Sequence, residues 1–179
     1  MPAVRWGTGA GAVVVLVATG VWAMWPGQVD ARLWSEVRPV IEARLAAENR
    51  GTGYGGTVPA LEAHWFCRAE ALDLDDRGGE VRAGVNTLCV EYGVRDGSLV
   101  ECGAGQVPQV LRLARTADGG YRVVAREEAP DGAGNARWTK DHFGRVGSAA
   151  LGRPMSAAAL ESAARTRFGL PANAPVGDC

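Results

Sequence analysis

Residues 64–93 read HWFCRAEALDLDDRGGEVRAGVNTLCVEYG, two runs of alternating residues on either side of Asp76-Arg77-Gly78-Gly79. In the first run Ala63, Trp65, Cys67, Ala69 and Ala71 share one face, and Glu62, His64, Arg68 and Glu70 share the other. In the second, Val81, Ala83, Val85, Thr87 and Cys89 lie opposite Glu80, Arg82 and Asn86. A two-residue period marks half-buried strands, because successive side chains leave a strand on opposite faces. The Asp-Arg-Gly-Gly segment supplies the turn between them. A hairpin folded about Gly78 sets Cys67 opposite Cys89, Ala69 opposite Thr87 and Ala71 opposite Val85. This register keeps the apolar faces together, as a strand pair requires.

Working outward, Leu33, Val37, Ile41 and Leu45 recur every four residues upstream, which predicts an amphipathic helix over residues 31–49. Pro39 is expected to kink it or to mark a broken first turn. The glycine-rich stretch 51–56, GTGYGG, ends the helix and reads as a flexible loop. Downstream, QVPQVLRLART (106–116) and GYRVVAREE (120–128) form two more strands joined by Ala-Asp-Gly-Gly. Pro108 lacks a donor and belongs at the start or the edge of its strand. Asn135 is the expected N-cap of a short helix over 136–143. Ser156 begins a second helix over 157–168, which Gly169 and Pro171 terminate. The tail, PANAPVGDC, reads as irregular.

The chain has 179 residues, 47% hydrophobic and 22% charged, enough for one domain with its own core. Its formal net charge of −1 argues against a nucleic-acid partner, which would call for a basic surface. From Trp6 to Val29 no residue is charged, and Arg5 stands just before this run. Trp6 and Trp25 are 19 residues apart, with Trp22 beside the latter. As a helix that separation is about 28 Å, the thickness of a hydrocarbon core with aromatic residues at both interfaces. Residues 1–29 therefore read as a membrane anchor, N-terminus inside and domain outside. A cleaved signal segment ending near Val21-Trp22-Ala23 is the alternative, and it would give a secreted protein. GTGAGA, residues 7–12, matches a dinucleotide-binding pattern but lacks the preceding strand that the motif needs.

The order is a membrane helix, an amphipathic helix, a four-stranded antiparallel meander and short C-terminal helices: an α+β arrangement. The domain proper spans 30–146, and 147–179 forms a C-terminal helix and tail. This order resembles cystatin-like domains and those of the nuclear transport factor 2-like superfamily. YRVVAREEAPDGAGNARWTKDHFG (121–144), with WFC and TLC upstream, is similar to uncharacterised membrane-anchored extracytoplasmic proteins of GC-rich bacteria. The resemblance covers roughly residues 60–145. It implies a fold and no particular activity.

An extracytoplasmic chain with four cysteines is read first as a disulfide framework. The hairpin register favours Cys67–Cys89, which leaves Cys102–Cys179. A second scheme, Cys89–Cys102 about the turn at Arg95-Asp96 with Cys67–Cys179, stays open. There is no C-x-x-C spacing for redox chemistry. His64 and Cys67, three apart on a strand, point to opposite faces and make a poor metal pair.

Candidate chemistry is sparse, and neither a cofactor nor a metal is expected. His64 falls on the solvent face of its strand, and His142 lies near a helix C-terminus, where a cation is favourable. Asp73, Asp75 and Asp76 sit at a hairpin tip as solvated carboxylates without calcium-loop spacing. Asp131 is a turn former. The superfamily resemblance implies a concave sheet face that can enclose a pocket. Its residues here would be Trp65, Ala69, Val85 and Thr87, with Glu91 at one end as a carboxylate base. The expectation is a non-enzymatic anchored domain that binds a protein partner or small ligand at the cell envelope. An isomerase-like enzyme with a pocket at the concave face is the alternative.

Overall fold

The computed structural model describes residues 29–179. The expected anchor lies outside the described residues, and among those described no helix is long and apolar enough to cross a membrane. The order is α1 (Ala31–Glu48), β1 (His64–Arg77), β2 (Glu80–Arg95), β3 (Ser98–Arg115), β4 (Tyr121–Glu128), α2 (Asn135–Leu151), α3 (Ala158–Phe168) and β5 (Val176–Asp178). The strands form one mixed five-stranded sheet: β1-β2-β3-β4 is an antiparallel meander, and β5 pairs parallel with β3.

Cys67 pairs with Cys89, Ala69 with Thr87 and Ala71 with Val85, as the alternation predicts. The turn itself differs. It is centred between Gly78 and Gly79, both at positive φ, with Arg77 facing Glu80. A bulge between Ala71 and Asp73 absorbs the extra residue and restores the pairing at the cysteines. Asp96 and Gly97, also both at positive φ, make an equally tight turn between β2 and β3. Both strands are accordingly longer than the alternation alone suggests.

Asp30 caps α1 by accepting from the amides of Arg32 and Leu33 at 2.9 and 3.0 Å. The helix runs through Pro39, an exposed residue on its solvent side, so the first turn is not broken there. Val37, Ile41 and Leu45 are fully buried against Ala69, Val81, Ala83, Val85, Leu111 and Leu113. Each such aliphatic side chain contributes about 1.5–3 kcal/mol by burial. Glu42 accepts from the Ala69 amide at 3.0 Å, and Arg126 of β4 pairs with Glu48 at 2.8 Å, so α1 is tied to both sides of the sheet.

The other sheet face is not left to solvent. Leu88, Val90, Tyr92 and Leu99 bury against Leu160 and Ala164 of α3. Phe143 of α2 comes so close to Gly84 that a Cβ there would stand 2.7 Å from its ring. Residues 87–93 are buried on both faces, one covered by α1 and the loop after it, the other by α3.

Three further expectations are corrected. The tail is not irregular throughout: Val176–Asp178 adds a strand beside Leu99–Glu101. Pro108 sits well inside β3, but its carbonyl accepts from Ala129 just beyond the end of β4, so its missing donor falls where pairing stops. Asn135 is the first residue of α2 rather than its cap; α2 is two helical segments joined at Gly144, whose backbone (φ 61°, ψ −164°) is not helical, so the first segment ends at Phe143 as expected and a second runs on to Leu151. In α3, Ser156 Oγ accepts from the Ala158 amide at 3.3 Å, and Gly169 closes the helix at positive φ.

Candidate functional site

Both disulfides are formed, Cys67–Cys89 and Cys102–Cys179, and no described cysteine is free. The first staples β1 to β2. The second fastens the residue after β5 to β3, where the Cys179 amide also donates to the Glu101 carbonyl at 3.0 Å. The alternative scheme through Cys89–Cys102 is thereby set aside. Two closed bridges point to an oxidising, extracytoplasmic setting.

Glu91 lies on the α1 side of β2 and is buried. Its Oε2 accepts from the Gly55 amide at 2.8 Å and its Oε1 from the Gly56 amide at 2.9 Å. The GTGYGG segment, expected to be a flexible loop, is thus held against the sheet by a carboxylate 35–36 residues away. Trp65 closes the same corner: its indole N–H donates to the Thr52 carbonyl at 2.9 Å. Glycine is required at position 53, where φ is 87° and a Cβ would lie 2.6 Å from Glu91 Oε2 and 2.9 Å from the Trp65 ring. A cavity of about 160 Å³ remains beside Trp65 and Glu91, bounded on its far side by Ala43, Ala46 and Ala47 of α1.

The five residues expected to form one pocket are therefore distributed. Trp65 and Glu91 share this small cavity. Ala69 and Val85 belong to the core beneath α1. The Thr87 hydroxyl donates to the Val107 carbonyl and accepts from Gln109, both at 2.8 Å. Helix α1 fills most of the face on which a pocket was expected.

His64 is exposed and stacks on Phe168 at 5.9 Å. His142 stacks on Trp138 at 4.0 Å, and its Nδ1 lies 2.8 Å from the Trp138 carbonyl. Glu127 accepts from the Trp138 indole at 2.6 Å and lies 3.4 Å from His142 Nε2. Asp73 departs from the expected solvated tip: it pairs with Arg82 at 2.5 Å and accepts from the Gly84 amide at 3.2 Å. Asp131 precedes a short 3-10 turn, Gly132–Gly134. Among the described residues no three His, Cys, Asp or Glu side chains cluster as metal ligands would. A cleft of about 450 Å³ is lined by Arg82, Arg112, Arg126 and His142, but those arginines already face Asp73, Glu80, Glu48 and Glu128.

Another cleft, of about 660 Å³, lies on the sheet face opposite Glu91, between α2 and strands β2 and β3. Its floor residue, Asn86, reads from the alternation as a solvent-facing position but is only 3% exposed. The signal that could have exposed it is the length of the helical sequence after Phe143, which covers that face.

Comparison with protein-family models, curated proteins and solved structures finds no match to this chain.

Proposed function

We propose that the chain is a non-enzymatic binding domain, tethered to the outer side of a membrane by its first 29 residues, that takes a protein partner or small ligand at the cell envelope. The pair of closed disulfides carries this reading, since such bridges persist in oxidising compartments and a sheet stapled twice suits a rigid display scaffold. The uncharged run from Trp6 to Val29 supports the tether. The nuclear transport factor 2-like or cystatin-like resemblance fits a helix packed on a curved sheet. An isomerase-like role for Glu91 loses support, because both its oxygens accept backbone bonds and α1 occupies the face where a substrate would sit.

The test is cross-linking in cells, followed by native purification of a tagged full-length copy from membranes and mass spectrometry. A reproducible stoichiometric partner is the expected result. A chain that fractionates in the cytosol with reduced cysteines would overturn the assignment.

A further inference from the structure

On one side β3 pairs with β2 from Ser98 to Ala114, but on the other it is paired only towards its two ends. β5 lies beside Leu99–Glu101, and Cys179 is carried next to Cys102 by their disulfide. β4 lies beside residues 109–115, and the Ala129 amide donates to the Pro108 carbonyl at 3.1 Å. Between them residues 103–107, GAGQV, have no strand on that side. The gap is five residues long, about 17 Å of extended chain.

Strand geometry fixes what this edge offers. Successive residues turn their backbone groups alternately to the two sides of a strand. The Pro108 carbonyl points to the β4 side, so the N–H and C=O of Gln106 and Ala104 point there too. Among the described residues these four groups have no partner. Ala104, Gly105 and Gln106 are exposed, which leaves the edge open. Gly103 and Gly105 pair with Glu91 and Cys89 and bring no side chain to the α1 face. A Cβ at Gly105 would meet nothing within 4 Å. An incoming strand therefore finds two donors, two acceptors and room for a side chain laid across the glycines.

The edge is also recessed, since β4 and β5 each stand in front of it by one strand spacing, about 4.8 Å. A second copy cannot pair its own β3 here, because that edge lies behind the same two strands. A single extended segment of about five residues fits. The ends of the gap are acidic: Glu101 and Asp178 flank one, Glu128 and Asp131 the other, and all four are exposed. Among the described residues only Glu128 of these is in an ion pair, with Arg126 at 3.0 Å. We propose that an extended peptide of a partner protein, apolar at its centre and carrying lysine or arginine at both ends, adds as a strand between β5 and β4. This rests on the binding reading above and gives its partner a docking mode.

The test uses the full chain in lipid nanodiscs and a blocked peptide of alternating threonine and valine with lysine at both ends. Saturating peptide should slow deuterium exchange at the Ala104 and Gln106 amides about tenfold and leave Gly105, whose amide faces β2, unchanged. A copy N-methylated throughout should not bind, and one with glutamate ends should bind about tenfold more weakly. Ala104→Pro removes an outward N–H without touching the β2 ladder and should weaken binding about fivefold. Should that variant fail to fold, Asp131→Asn combined with Asp178→Asn still reads the charge: it should weaken the lysine-ended peptide and not a glutamine-ended one. The proposal is overturned if exchange at Ala104 and Gln106 does not respond, or if the N-methylated or glutamate-ended copy binds equally well. It is also overturned if both amides are already protected without peptide, the mark of a gap filled by the chain itself or by a second copy. Any of these results leaves the envelope-partner reading standing, because cross-linking tests it separately.

Discussion

The carboxylate of Glu91 sits under the backbone of Gly55, accepting its amide at 2.8 Å, and so a side chain in the middle of the sheet dictates the course of the loop after α1. The two amides it holds, those of Gly55 and Gly56, have one partner each in its two oxygens. Glu91→Gln replaces one acceptor with an NH₂ group that faces an N–H. We predict a loss of about 2 kcal/mol of stability, the scale of a hydrogen bond to a charged group. The loop amides should exchange with deuterium faster in the variant. Urea unfolding and hydrogen exchange at Gly55 and Gly56 check this, and unchanged exchange would contradict it.

Glycines 51 and 53 separate backbone strain from crowding. Both have positive φ, 79° and 87°, but a Cβ at 51 meets nothing within 4 Å. Gly51→Ala should cost about 1 kcal/mol from the left-handed backbone alone. Gly53→Ala adds a clash with Glu91 and Trp65, both pinned by hydrogen bonds, and should cost about 2 kcal/mol more. Comparing the denaturation midpoints of the two variants decides the point.

Tyr92 packs among Leu160, Ala164 and Phe66, and its hydroxyl has no partner. Burial, reinforced by the nearby carboxylates Glu101 and Glu161, holds its phenol above the ordinary value of 10.0. A raised folded-state value means its contribution is complete below pH 10.0 and is lost as pH rises from there through the folded value. The protein should therefore weaken in alkali, and Tyr92→Phe should lose most of that dependence. At neutral pH the same change removes an unpaired buried oxygen and should be neutral or stabilising by about 1 kcal/mol. Unfolding titrations of both proteins between pH 8 and 11.5 test the two statements together.

The two bridges close loops of different size, 22 and 77 residues. Loop entropy assigns them about 3.4 and about 4.5 kcal/mol. Replacing Cys102 and Cys179 with Ser should cost more than replacing Cys67 and Cys89, and should release β5 from β3. Calorimetry of the two double variants, with exchange at Leu99 and Val100, reports both effects. An equal or reversed order would show that strain or residual structure outweighs loop entropy.

The hairpin and its disulfide were legible because two independent patterns, alternation and cysteine placement, select one register. The turn was misplaced by half a residue, and the Ala71/Asp73 bulge hid the error, since bulges leave no trace in a period-two pattern. β5 was missed because Val176-Gly177-Asp178 gains its strand conformation from the Cys102 bridge and β3, not from local preference. The loop at 51–56 looked free because its partner is remote in sequence. Asn86 looked solvated because strand alternation reports one covered face, whereas α2 and α3 cover the second. Of the candidate site, the adjacency of Trp65 and Glu91 was readable; the filling of the concave face by α1 depends on packing distance, which a periodicity does not encode.

The native bridges join the cysteines in the order in which they occur, first with second and third with fourth. A chain threaded through a membrane from its N-terminus would present Cys67 and Cys89 together, before Cys102 emerges. An oxidant that joins each new thiol to the one still waiting would then produce the native pattern without reshuffling. The hazard is the interval in which Cys102 waits for β4, α2 and α3 to pass. Closure of Cys67–Cys89 removes its nearest wrong partner for that whole interval.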